Sequence, residues 1–141
     1  MMRAAALAVM AALAGLAGPH ALAEASAPAG RFDGYSGRQL YERFCASCHG
    51  SSGLGDGPVA GSLRVMVPDL TRLGRANGGA FPAERVRKAI DGRSVYPVHG
   101  TRYMPVWGQE LSVEQGGDQA AEAEVARITD KLVEYLRSIQ Q

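Results

Sequence analysis

Cys45-Ala46-Ser47-Cys48-His49 uses both cysteines of the chain. A Cys-x-x-Cys-His spacing has a specific chemical meaning. Two thiols can add across the two vinyl groups of a haem as thioethers, and the adjacent imidazole then reaches the iron as an axial ligand. Another residue in the fifth place would tether the porphyrin and leave the iron unheld. The run has competitors. A thioredoxin-like redox pair wants a helix N-terminus in a βαβ context, and no alternation of strand and helix surrounds this one. A zinc site needs four ligands, so Cys45, Cys48 and His49 would leave His99 to complete it. A disulfide between residues three apart closes a tiny loop and stabilises little. The motif favours haem attachment.

The N-terminus reads as an export signal. Met1-Met2-Arg3 is a short positive region, Ala4 to Ala17 is apolar, Gly18-Pro19 breaks the run, and Ala21-Leu22-Ala23 is a small-residue cleavage site. Residues 1–23 are therefore expected to be a secretory signal peptide cleaved near Ala23. The apolar run falls short of the ~20 residues that span a bilayer. No other segment is long and apolar enough to do so, and no membrane span is expected in the mature chain. Covalent haem attachment of this kind occurs outside the bacterial inner membrane, so leader and motif support each other and point to the periplasm. The remainder has the size of one small domain.

The 15 Lys and Arg against 14 Asp and Glu give a formal charge of +1, far from the basic excess of a nucleic-acid binder. Charge is uneven all the same. Arginines from Arg64 to Arg102 dominate the middle and acids from Glu110 to Glu134 the end, an asymmetry able to orient the molecule toward a redox partner.

Residues 24–35 are rich in Ala, Pro and Gly and read as a flexible N-terminal lead ahead of a domain over 36–141. Ser36-Gly37-Arg38-Gln39 is a capping box, and Leu40, Tyr41 and Phe44 follow at helical spacing, so a first helix delivers the motif at its C-terminal end. Gly50 to Pro58 is too rich in Gly and Ser for helix or strand, and it lacks the Gly-Lys-Ser/Thr signature of a phosphate loop. A long loop of this kind is expected to need a large rigid template, such as a haem. Phe81-Pro82-Ala83-Glu84 starts a second helix with Pro at its first position, and Gly92 stops it. Ser112 opens a short helix interrupted by Gly116-Gly117. A last helix begins near Asp118, with Val125, Ile128, Leu132, Tyr135, Leu136 and Ile139 as its apolar stripe. No segment has strand periodicity. The expected fold is all-α, about four helices and long loops wrapped around one covalent haem.

A six-coordinate iron needs a second ligand. Met104, in Tyr103-Met104-Pro105-Val106-Trp107-Gly108, lies in a turn-flanked loop far from His49, and a thioether there gives His/Met ligation and a raised potential. Met66, within Val65-Met66-Val67, reads as apolar packing. His99 is the rival, five residues before Met104, and bis-His ligation would lower the potential.

Together these residues resemble a class I, mono-haem bacterial cytochrome c: export signal, Cys45-x-x-Cys48-His49 after a first helix, Met104-Pro105 in a downstream loop, and a closing amphipathic helix. The resemblance covers about Gly34 to Ile139. It implies one covalently attached haem c, held by Cys45, Cys48, His49 and Met104, with His49 and Met104 on the iron. It implies that the backbone carbonyl of Pro68 accepts a hydrogen bond from the proximal imidazole and that Leu70 packs on the porphyrin face. First and last helices are expected to cross, with Gly37, Tyr41 and Phe44 against Leu132, Tyr135 and Leu136. Trp107 and Arg102 are candidate donors to the propionates. One departure stands out: Gln109 to Asp118 reads as polar and partly disordered.

The function implied is a periplasmic electron carrier, not an enzyme, meeting redox proteins transiently. The alternatives are a haem-based sensor or small-ligand binder with a labile distal ligand, and a fixed electron-transfer subunit of a membrane-bound respiratory, dehydrogenase or oxidase complex.

Overall fold

The computed structural model of the chain describes residues 30–94 and 104–141. The expected signal peptide, His99 and Arg102 lie outside the described residues. Within them every regular element is helical: α1 (Gly37–Phe44), α2 (Ala46–His49), α3 (Ala83–Asp91), α4 (Trp107–Glu114) and α5 (Gln119–Ser138), with 3₁₀ turns at Ala60–Ser62, Leu70–Arg72 and Arg75–Asn77. The fold is all-α, as expected, with one helix more than the sequence suggested.

Local signals set most of the helix ends. Both halves of the capping box form at α1: the Ser36 hydroxyl accepts from the Gln39 amide and the Gln39 side chain accepts from the Ser36 amide. Cys45, with φ widened to −119°, then separates α1 from the single turn of α2. Asp118 caps α5 by accepting from the Ala121 amide at 2.8 Å. Gly92 ends α3 in the left-handed conformation at φ 68°, while Pro82 sits one residue earlier than expected, as the cap.

α4 was not legible. Ser112 does not open a helix; it lies inside one that starts at Trp107. Its hydroxyl donates to the Glu122 carboxylate at 2.6 Å, and Leu111 and Ser112 are 1% and 6% exposed. The stretch expected to be polar and partly disordered is thus helical through Glu114, because tertiary burial outweighs its weak periodicity. Gly116 and Gly117, both at positive φ, make the turn into α5.

Residues 30–35 correct a second expectation. They are not a free lead: Phe32 is 2% exposed, and the Lys131 ammonium donates to the carbonyls of Asp33 at 2.8 Å and Tyr35 at 3.1 Å.

α5 is the spine, packed on by α1, α3 and α4. Val125, Ile128, Leu132 and Leu136 bury the predicted stripe, and Val133 widens it. α1 crosses α5 at Gly37, where a Cβ would strike the Lys131 carbonyl oxygen and approach the Tyr135 Cβ. Tyr41 and Tyr135 stack across the same crossing at 5.1 Å. Gly37→Ala is therefore expected to destabilise the protein by about 1–3 kcal/mol, read as a lowered denaturant midpoint with an unchanged slope. An unchanged midpoint would show that the helices do not meet this closely.

Candidate haem-binding site

One cleft gathers most of the residues singled out above. Phe44, Cys45, Cys48 and His49 form one wall, residues Leu63 to Pro68 a second, and Met104, Pro105 and Trp107 a third. Its empty volume is about 870 Å³, part of it open to solvent.

The floor is α2. A one-turn helix does not stand alone, and its last carbonyls have no partners of their own. Here the glycine-rich loop supplies them: the amides of Gly55, Gly57 and Val59 donate to the carbonyls of His49, Cys48 and Ser47 at 2.9, 3.1 and 3.1 Å. Glycine is required for that approach, since a Cβ at Gly57 would meet the Ser47 and Cys48 carbonyls. The Leu70 amide in turn donates to the Gly53 carbonyl at 2.7 Å. Backbone ties to its neighbours hold this loop in place.

His49 is 7% exposed, and its Nδ1 lies 3.3 Å from the Pro68 carbonyl. A carbonyl only accepts, so Nδ1 carries the proton and Nε2 the lone pair. The Pro68 contact implied by the resemblance is therefore present.

The Tyr41 hydroxyl, fully buried, donates to the Gly50 carbonyl at 2.7 Å. Burial, with smaller contributions from nearby negative charge, raises its pKa and keeps it a donor. Sequence periodicity placed Tyr41 in the core but gave no sign of this bond.

Cys45 is buried and Cys48 half-buried, and no disulfide joins them. Burial, then the neighbouring Cys48, pushes the Cys45 thiol up to about 12. That is the reverse of the lowered pKa of a thioredoxin-like pair. Among the described residues no three His, Cys, Asp or Glu side chains are grouped to hold a metal ion.

Two expectations need correction. Leu70 is not in the cleft lining; it packs against the core from its 3₁₀ turn, and Leu63, Val65 and Val67 supply that wall. Met66 is not ordinary packing: it is 92% exposed at the cleft. Met104 and Trp107 line the cleft, both half-buried.

A macrocycle fits this chemistry. The lining is mainly apolar, as a porphyrin face requires, with two thiols and an oriented imidazole at one wall and a thioether at another. Residues 33–121 match the family model described as cytochrome c oxidase, cbb3-type, subunit III. The chain belongs to that family. It is thus a class I, mono-haem c-type cytochrome domain, whose family carries covalently bound haem c. No curated protein and no solved structure matches the chain. As a c-type cytochrome domain it depends on α2 keeping its place. Tyr41→Phe removes one of two donors to the buried Gly50 carbonyl, which keeps the Gly53 amide at 3.2 Å, and is expected to cost about 0.5–1.5 kcal/mol. Equilibrium denaturation of the two holoproteins measures it, and equal stabilities would contradict the bond.

Proposed function

We propose that the chain is a periplasmic one-electron carrier whose haem iron is held between His49 and Met104. The observation that carries this reading is that His49 and Met104 line the same cleft as Cys45 and Cys48. When bound, the haem supplies reversible one-electron exchange between ferric and ferrous iron.

The protein's own groups do the rest. Cys45 and Cys48 fix the ring covalently. His49 presents Nε2 because Pro68 holds Nδ1, and that hydrogen bond raises the basicity of the ligand. A thioether at Met104 favours the reduced iron and raises the potential. Phe44, Leu63 and Val67 exclude water, which further disfavours added charge. With His49 and Met104 both holding the iron, no place would be left for a substrate, so the reading is of a carrier and not an enzyme. Export is supported by the leader-like N-terminus, and no helix among the described residues is long and apolar enough to cross a membrane. Redox proteins met in brief encounters are the proposed partners. A second reading, a fixed subunit of a respiratory complex, is favoured by the oxidase-subunit description of the family.

The optical spectrum of the oxidised holoprotein tests the ligation. The far-red Met–iron charge-transfer band is expected in the parent protein, to vanish in Met104→Ala and to persist in His99→Ala. A band that survives Met104→Ala, or that is lost only in His99→Ala, would overturn the distal assignment.

A further inference from the structure

Residues 30–35 touch three helices through different chemistry. The Arg31 guanidinium pairs with Glu114 of α4. The Phe32 amide donates to the Glu124 carboxylate of α5 at 3.3 Å, and Arg127 holds that buried carboxylate at 2.6 Å. The Lys131 ammonium caps the carbonyls of this segment, as described above. Such anchoring exceeds what joining a loose leader to a domain needs.

The anchored segment ends in a ring. Phe32 packs edge-on against Phe44 at 5.4 Å between centroids, and Phe44 packs against Trp107 at 5.2 Å. The Arg43 guanidinium lies over both phenyl rings, at 5.8 and 5.6 Å. Phe44 and Trp107 both line the cleft, and Trp107 opens α4 three residues after Met104. Phe32 itself is not in the lining. It stands behind the wall.

We propose that residues 30–35 are a strap that positions the Phe44–Trp107 wall, with Phe32 as the positioning residue, and that the strap sets how firmly Met104 is held at the cleft. This inference rests on the Met104 ligation proposed above. Its physical basis is a continuous packed path. Loss of the Phe32 ring leaves Phe44 unsupported, Phe44 then ceases to fix Trp107, and Met104, three residues before it, populates a detached, open position more often. The apparent affinity of an external ligand rises with that open fraction.

Imidazole titration of the oxidised holoprotein reads the open fraction directly. Phe32→Leu keeps most of the core volume and removes the ring contacts; Lys131→Met loosens the strap without touching the rings. Val86→Ala, in α3 and outside the cleft lining, is the control for general destabilisation. The strap predicts imidazole binding about tenfold tighter in Phe32→Leu, and tighter than in the parent in Lys131→Met, with Val86→Ala within about twofold of the parent. If Phe32→Leu does not load haem, Lys131→Met decides. Parent-like affinity in the strap variants, or an equal gain in Val86→Ala, overturns the proposal. A parent protein that binds imidazole as tightly as Met104→Ala overturns the ligation itself, and the strap's role with it.

Discussion

Three carbonyl groups at the end of a single helical turn carry the site. Those of Ser47, Cys48 and His49 receive amides from the loop that follows, and without partners α2 would fray, since so short a helix has no stability of its own. Cys48 and His49 would then lose any fixed relation to Cys45. The loop can approach because Gly55 and Gly57 place no Cβ against the backbone they face. Tyr41 closes the arrangement from beneath by holding Gly50. Composition that reads as floppy thus produces a tightly constrained backbone.

The larger frame serves that turn. α1 is fixed by its crossing with α5, a close contact permitted by Gly37. The segment before α1 is held to α5 by Glu124, Arg127 and Lys131, and it reaches α1, α4 and α5 together. Glu124 is a carboxylate 3% exposed. Burying it is tolerable because Arg127 and a backbone amide meet it there. The cleft is therefore walled by side chains whose positions are set from behind, by helix crossing on one side and by the strap on the other.

What the sequence revealed, and what it hid, follows the range of the interactions involved. The haem motif is five consecutive residues with fixed chemistry, and the capping signals at Ser36 and Asp118 act within one turn, so both were readable. The stripe of α5 was readable because helical period alone groups Val125, Ile128, Leu132 and Leu136. The contact between His49 and Pro68 spans 19 residues and came only through family resemblance. α4 was started too late, at Ser112 instead of Trp107, because its helicity rests on burying Leu111 and Ser112 against elements distant in sequence. Phe32 was missed for the same reason, a lone aromatic in an Ala/Pro/Gly-rich lead whose partners Phe44 and Glu124 lie far along the chain. Leu70 and Met66 were misplaced because the side of a loop that faces a cleft has no periodic signature.

The central claim is that α2 presents Cys45 and Cys48 for two thioether bonds to one haem. Intact mass of the purified protein, before and after denaturing alkylation, tests this most directly. The account predicts a single species heavier than the polypeptide by one haem, with neither cysteine alkylated. A polypeptide of unmodified mass that takes up two alkyl groups in protein still carrying haem would contradict it.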